Sequence, residues 1–112
     1  MQARGHLHLL ERLDHVFKLP DGSGNWASGY WQLDEIERTA VRKMFLHKKK
    51  AERSFWGGDV LTVVPAIEFA EMATRHDTDP AGRWVLIVRP APDCRGAEWE
   101  GADHAMAYKS LV

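Results

Sequence analysis

Two runs of β-branched residues constrain the fold of this chain more than any other feature. Residues 58–64 (GDVLTVV) end at Pro65, and residues 83–89 (RWVLIVR) end at Pro90. β-branched residues favour strands, and proline cannot donate the hydrogen bond that a central strand needs in order to continue. The two runs therefore predict central strands of one sheet and argue against an all-helical fold.

A helix is predicted before these two strands in the sequence. Asp34 and Glu37 have the spacing of a capping box, in which the side chains of both residues bond to backbone amides at the helix start. The pattern predicts a helix over about 34–42, with Ile36, Ala40 and Val41 on its buried side.

Two shorter segments flank this helix. Residues 26–33 are aromatic and bounded by glycine, which is typical of a strand. Residues 43–47 form an apolar run that fits either a buried strand or the end of the helix, because periodicity alone does not separate the two. We favour the strand.

The ends of the chain are less clearly patterned. Leu7, Leu10, Leu13 and Phe17 recur at spacings of three and four, which predicts an N-terminal helix over about 5–18. Residues 67–75 fit a short helix or an irregular crossover, and residues 104–112 fit an edge strand. Together the elements predict an α+β fold with a curled, mostly antiparallel sheet or small pseudo-barrel over about 26–112 and two or three helices.

Composition limits the class of protein. The 112 residues, 45% hydrophobic and 28% charged, suffice for one domain with a single core, which we place at 1–112. One cysteine cannot form an internal disulfide, so a reducing compartment, the cytoplasm, is expected. No apolar run approaches the ~20 residues of a membrane span, and residues 1–10 lack the apolar stretch of a signal peptide. We therefore expect no membrane association.

The segment of residues 42–58 (RKMFLHKKKAERSFWGG) concentrates positive charge beside aromatic rings. Six of the fifteen lysines and arginines of the chain lie in it: Arg42, Lys43, Lys48, Lys49, Lys50 and Arg53. The formal net charge of the chain is only −1, so the remaining residues are net acidic. Cations attract phosphates and aromatic faces stack on bases, although lysines at a sheet edge also simply prevent aggregation.

The tryptophans and glycines of this region leave two interpretations open. Five tryptophans exceed the need of one small core, and Trp31 and Trp56 are the candidates to face a ligand. Side chains alternate along a strand, so of Tyr30 and Trp31 one should be buried and the other half exposed. Trp56 precedes two glycines and is either a stacking platform or a core residue, because glycine admits a ligand or a neighbouring backbone.

Metal and nucleophile chemistry have little support in the sequence. Of six histidines only His6 and His8 are close; on a helix their rings diverge by about 200°, whereas on a strand they face the same way. With no third ligand at a usable spacing, we predict no metal site and no cofactor. Cys94 next to Arg95 is the one candidate nucleophile, and P-loop, GxSxG and GxGxxG motifs are absent.

The order of elements resembles a known superfamily. An aromatic strand (GYWQL), a helix, a basic strand and loop (FLHKKKAERSFWGG) and two β-branched strands (DVLTVV, WVLIVRP) look like the small pseudo-barrels of the PUA-like superfamily, which includes ASCH and EVE domains. WQLDEIER stands where EVE domains carry a Lys-Ser-Glu-Pro type of motif. The chain also resembles the orphan proteins carried on bacterial mobile gene cassettes and phages.

The resemblance implies a cleft that binds RNA or modified bases. The resemblance and the basic segment together suggest these candidate binding residues: Trp31, His47, Lys48, Lys49, Lys50, Arg53, Ser54 and Trp56. Some ASCH-like relatives hydrolyse modified nucleosides with a lysine and a carboxylate, for which Lys48 or Lys50 would pair with Glu52 or Asp59. We leave enzymatic activity open and assign no catalytic residue.

Three functions follow as hypotheses. The first is a binding module for RNA, single-stranded DNA or a modified base. The second is an interaction or accessory protein, for instance a homodimer, which would need a contiguous exposed apolar patch. The third is a small hydrolase acting on a modified nucleoside, which would need a deep pocket with a base and a carboxylate in hydrogen-bond reach.

Overall fold

A computed structural model describes residues 4–11, 16–69, 79–101 and 107–112. This part of the chain contains seven strands: β1 (His6–Leu10), β2 (Val16–Lys18), β3 (Trp26–Trp31), β4 (Lys43–His47), β5 (Trp56–Pro65), β6 (Trp84–Pro90) and β7 (Lys109–Leu111). Helix α1 spans Glu35–Ala40, and single 3₁₀ turns span Ala66–Phe69 and Pro92–Cys94.

The strands form one mixed sheet in the order β2-β3-β6-β5-β4-β1-β7. β1 pairs with β4 in parallel, and the other five neighbouring pairs are antiparallel. The prediction of a mostly antiparallel sheet is therefore confirmed. The sheet does not close into a barrel, and the described residues hold one α-helix where two or three helices were predicted.

The two β-branched runs form the central strands β5 and β6, as predicted. They pair with each other from Gly58 opposite Pro90 to Pro65 opposite Trp84, and the register shifts between Val60 and Thr62. Such a β-bulge leaves one residue of the longer strand without a partner and bends that strand. Leu61 is this residue, and 48% of its surface is exposed.

The predicted capping box opens α1. The Asp34 carboxylate accepts the Glu37 amide at 2.7 Å, and the Glu37 carboxylate accepts the Asp34 amide at 2.9 Å. The buried side of the helix was predicted wrongly in part, because Ile36 is 71% exposed. Glu37 is buried instead, and Lys109 of β7 compensates for the buried charge with an ion pair at 2.6 Å.

Residues 43–47 form a strand and do not continue the helix. The backbone amide of Val41 bonds to the Glu37 carbonyl, after which the chain is extended. β4 then pairs with β1 on one side and β5 on the other, and Met44 to His47 are buried. Because successive side chains point to opposite faces, burial of all four residues means that both faces of β4 are covered, which explains an apolar run without polar alternation.

The N-terminal helix over 5–18 was predicted wrongly. Residues 6–10 form β1 and residues 16–18 form β2, while Leu13 lies outside the described residues. β1 lies between β4 and β7 with residues 7–10 all buried, so both of its faces are covered. A strand covered on both faces has no period of two, and its leucines match a helical spacing by coincidence.

Both faces of the sheet are covered. One cluster of buried side chains, on the face that Trp31 occupies, consists of Leu7, Leu9, Trp31, Leu33, Val41, Met44, Leu46, Leu86 and Val88. A second, on the face that Tyr30 occupies, consists of Ala27, Tyr30, Ala66 and Val85. Tyr30 and Trp31 are therefore 4% and 7% exposed, and the prediction that one would be half exposed was wrong.

The remaining sequence predictions meet the structure only in part. The predicted C-terminal edge strand appears as β7 at one edge of the sheet, and residues 102–106 lie outside the described residues. The segment 67–75 begins in the Ala66–Phe69 turn and then leaves the described part of the chain. No helix formed by the described residues is long and apolar enough to cross a membrane.

Candidate nucleic-acid interface

The connection between β4 and β5, residues 48–55, is here called the basic loop. It starts after the buried strand end at His47 and carries the four predicted cations of this region. Lys48, Lys49 and Arg53 are exposed, and Lys50 is half buried. Arg42 and Lys43, which the sequence grouped with these cations, lie at the opposite end of β4.

Two lysines of the basic loop contact aromatic rings. The Lys48 ammonium lies 4.6 Å from the centre of the Phe55 ring, which is 38% exposed. The Lys50 ammonium lies 5.5 Å from the centre of the Trp99 ring. A cation over an exposed ring contributes roughly 0.5–1 kcal/mol, so a base could replace Lys48 on Phe55 at small cost.

Ion pairs on the loop are weak. Lys49 lies 4.0 Å from Glu52, and Arg53 lies 3.5 Å from Glu98, with all four side chains more than half exposed. Exposed pairs of this kind contribute about 0–1 kcal/mol. These cations can therefore exchange their carboxylate partners for phosphates.

Trp56 lines a concave pocket at the end of the basic loop. The pocket has a volume of about 350 Å³ and is lined by Trp56, Gly57, Pro90, Ala91, Pro92 and Arg95. No lining residue is acidic. Trp26 packs on Trp56 with ring centres 6.0 Å apart, which holds the half-buried indole in place. The volume lies in the range of small-molecule sites in proteins.

The two glycines after Trp56 serve backbone packing. A Cβ on Gly57 would lie 2.3 Å from the Met44 carbonyl oxygen, and one on Gly58 would lie 2.2 Å from the Arg89 carbonyl oxygen. The glycines therefore admit a neighbouring backbone. Trp56 itself is partly buried against the cluster that contains Trp31, and it also lines the pocket.

Ser54 is a structural residue of this site. It is buried, donates from Oγ to the Cys94 carbonyl at 2.7 Å and accepts the Ala97 amide at 2.9 Å. These bonds hold residues 94–97, including the pocket residue Arg95, against the basic loop. Cys94 itself is fully buried, and burial raises the pKa of its thiol, which is the opposite of what a nucleophile needs.

Two predicted site residues lie in the interior. Trp31 is buried and donates its indole N–H to Ser28 Oγ at 3.0 Å, and His47 is fully buried. Neither can contact a partner at the surface. The structure therefore places Lys48, Lys49, Lys50, Arg53 and Trp56 on or next to the basic loop, and it places Trp31 and His47 in the interior.

His47 instead belongs to a buried histidine pair that the sequence did not predict. His8 Nδ1 lies 2.8 Å from His47 Nε2, and His47 Nδ1 lies 3.0 Å from the Glu52 carbonyl oxygen. The His8 ring stacks on Phe45 with centres 4.6 Å apart, and Trp99 covers both histidines at 5.9 and 5.3 Å.

The Glu52 carbonyl determines which ring nitrogens of His8 and His47 carry protons. A carbonyl only accepts, so His47 carries its proton on Nδ1, and His8 must then donate from Nδ1 to the bare His47 Nε2. His8 Nε2 is left as an acceptor with no hydrogen-bond partner among the described residues, 3.9 Å from a Glu100 carboxylate oxygen. Burial, together with the neighbouring His47, lowers the pKa of His8 to about 4, and burial also lowers that of His47.

One signal in the sequence pointed to part of this arrangement. The spacing of His6 and His8 places both rings on one face if the segment is a strand, and both contact Phe45. The contributions of Trp99, Glu100 and Arg95 come from a loop distant in sequence and had no local signal. No group of three or more histidine, cysteine or acidic residues in the described part of the chain could hold a metal ion.

The lysine and carboxylate of the hydrolase hypothesis are arranged differently. Asp59 pairs with Lys43 at 3.0 Å and with Arg89 at 3.4 Å, at the far end of β4 from the basic loop. These contacts lower the pKa of Asp59, with the hydrogen bond from Lys43 as the largest cause, so Asp59 is committed to a surface ion-pair network.

Comparison with known proteins gives no relative from which a function could be transferred. No family model, no curated protein and no solved structure matches the chain.

Proposed function

We propose that this protein binds single-stranded nucleic acid through the basic loop and the Trp56 pocket. The observation that carries the proposal is the position of Trp56. A half-buried indole lines an open pocket without acidic residues, directly after a loop with four cations. Base stacking and phosphate attraction are the two terms that sequence-tolerant binding of single strands requires.

We assign base stacking and phosphate attraction to different residues. A base would enter the Trp56 pocket and stack against the indole, with the guanidinium of Arg95 at the rim. The flanking phosphates would contact Lys48, Lys49 and Arg53, whose existing carboxylate contacts are exposed and weak. The PUA-like resemblance stays part of this proposal, since domains of that superfamily bind RNA or modified bases in a cleft beside the barrel. The open sheet of this chain does not itself support the resemblance.

Salt dependence tests the electrostatic part. Binding of a short fluorescent single-stranded oligonucleotide should weaken with salt with a log-log slope of about −0.7 per phosphate contacted, or about −2 for Lys48, Lys49 and Arg53 together. Replacing these three residues by alanine should flatten the slope. Lys18→Ala is the matched control, because Lys18 is an exposed cation on β2, far along the sheet from the basic loop.

Stacking is tested separately. Trp56→Ala should weaken binding by about 1–3 kcal/mol and leave the salt slope unchanged, because stacking releases no ions. Circular dichroism of each variant excludes unfolding as the cause. Absence of wild-type binding at low salt, or a triple variant with the wild-type slope, would show that this surface is not a nucleic-acid interface.

A further inference from the structure

A second cavity lies on another part of the surface, between α1 and β5. Its volume is about 540 Å³, within the range of small-molecule sites. Nine residues line it: Arg38, Thr39, Val41, Arg42, Val60, Leu61, Thr62, Val63 and Trp84. Two guanidinium groups, two hydroxyl groups and an apolar wall thus surround one space, and no lining residue is acidic.

Among the described residues, neither arginine of this cavity has an acidic partner. Arg38 donates from Nη1 to the Leu33 carbonyl at 2.6 Å, and Arg42 donates from Nη1 to the Thr39 and Val41 carbonyls at 3.1 and 3.2 Å. Neither forms an ion pair within the described ranges, whereas Arg4, Arg53 and Arg89 do. One nitrogen of each guanidinium is therefore held in place while the others stay available as donors.

Two further features shape the cavity. The Arg38 guanidinium carbon lies 4.2 Å from the centre of the Trp84 ring, so stacking fixes the plane of that guanidinium. The β-bulge between Val60 and Thr62 falls within the lining and leaves Leu61 exposed. Bulges are frequent beside binding sites, where they change the direction of side chains.

We propose that this cavity binds a small phosphate monoester whose organic part is aromatic or apolar. The guanidinium fork matches phosphate oxygens, and two such groups balance the charge of a phosphate dianion better than that of a single carboxylate. Val60, Leu61 and Val63 provide apolar surface for the organic part, and the Thr62 hydroxyl provides an additional polar contact. The Thr39 hydroxyl already donates to the Glu35 carbonyl at 2.9 Å.

This site is distinct from the proposed nucleic-acid interface. Val60 follows Trp56 by four residues of extended strand, which is about 13 Å, and α1 lies beyond it. The two proposals can therefore fail independently, and variants at one site serve as controls for the other.

Phenyl phosphate is the probe for the first experiment. In a titration followed by ¹H–¹⁵N spectra, the Trp84 indole and the Val60 and Thr62 amides should shift, with a dissociation constant of about 1 mM or below. Inorganic phosphate tests binding of the charged group without the ring, and phenol tests binding of the ring without the charged group. Each should bind at least about tenfold more weakly, because each satisfies only one half of the cavity.

Two variants test the role of Arg42. Arg42→Gln removes the charge but keeps a polar side chain, and it should weaken phenyl phosphate binding about tenfold, the loss expected for one charge-assisted contact. Arg42→Lys keeps the charge without the fork and should recover part of the affinity. If Arg42 merely caps the carbonyls of α1, Arg42→Gln lowers stability but leaves the affinity unchanged, and the proposal is wrong.

The location is decided by the loop variants. Trp56→Ala and the triple alanine variant of Lys48, Lys49 and Arg53 should bind phenyl phosphate as the wild type does. Shifts confined to residues 48–57, or loss of phenyl phosphate binding in the triple variant, would assign the anion to the basic loop and overturn the α1–β5 site. No shift at Trp84 would overturn it as well.

Discussion

At the scale of single residues, the buried pair of His8 and His47 links stability to pH. The pKa of His8 is lowered to about 4 in the folded protein, chiefly by burial, while an unfolded histidine titrates near 6.5. Between these values the unfolded chain binds more protons than the folded one. The stabilisation from keeping His8 neutral is thus complete above about pH 6.5 and is lost as the pH falls toward 4.

We expect the free energy of unfolding to fall by about 2–3 kcal/mol between about pH 7 and pH 4.5 from this residue. His8→Phe keeps the ring stacked on Phe45 but removes the titrating group, so its unfolding free energy should depend less steeply on pH. Urea titrations followed by tryptophan fluorescence over this range measure both slopes.

His6→Gln is the control for this experiment. His6 is only half buried; burial and the charge of Arg4 lower its pKa, and the charge of Glu100 partly opposes them. Its replacement should change the pH dependence less than His8→Phe does. Equal slopes for the wild type and His8→Phe would show that His8 is not the group responsible.

Gly57 offers a test of backbone packing at one atom. A methyl group there meets the Met44 carbonyl oxygen at 2.3 Å and Cys94 Cβ at 2.8 Å, and neither belongs to a flexible side-chain end. Gly57→Ala should lower the unfolding free energy by about 2 kcal/mol, in the range of overpacked cores. The melting temperature by calorimetry checks this.

Gly22→Ala separates packing from backbone conformation. Gly22 has a φ of +78° with open space around its Cβ position, so alanine there costs only about 1 kcal/mol of backbone strain. A Gly57→Ala variant no less stable than Gly22→Ala would contradict the packing argument.

At the scale of elements, the sequence predicted the parts whose signals are local. β5 and β6 follow from their β-branched runs, and α1 follows from the spacing of Asp34 and Glu37. β1 was missed because its neighbours β4 and β7 are far away in sequence. Burial on both faces then removed the alternation that marks a strand with one solvent face.

In the candidate site, too, the sequence predicted the features with a local signal and missed those that depend on distant residues. The cations of residues 48–53 and the adjacent Trp56 are visible as a cluster in the sequence, and the structure keeps them together. The burial of Trp31 and His47 depends on the second layer of side chains and on Trp99, which sequence periodicity cannot reveal.

One side-chain contact joins the last strand to the helix. Lys109 of β7 pairs with Glu37 of α1 at 2.6 Å and also donates to the Gln32 carbonyl, and both charged side chains are largely buried. Lys109→Ala should lower the unfolding free energy by about 1.5–3 kcal/mol, because it leaves a buried carboxylate without its charged partner.

Lys18→Ala, which removes an exposed lysine from β2, should change stability by less than about 0.5 kcal/mol in the same urea titration. Equal effects of Lys18→Ala and Lys109→Ala would mean that the pair with Glu37 contributes nothing to the fold.

At the scale of the whole molecule, the two proposed binding surfaces lie at opposite ends of the β4–β5 pair. The basic loop follows the end of β4 at His47, whereas the α1–β5 cavity lies near the start of β4, where Arg42 precedes Lys43. β4 and β5 pair between them, from Lys43 opposite Asp59 to Leu46 opposite Trp56. If both proposals hold, we expect the two ligands to bind at the same time without competing for space.

The position of β1 between β4 and β7 has a consequence for folding kinetics. His8 meets His47 across 39 residues, and it pairs with Ser110 across almost the whole chain. Closing loops of this length is slow, because chain entropy is lost before any contact compensates for it. The β5–β6 and β4–β5 pairs have shorter connections and should form first, so the rate-limiting step of folding is expected to be the insertion of the first strand, after the rest of the sheet exists to receive it.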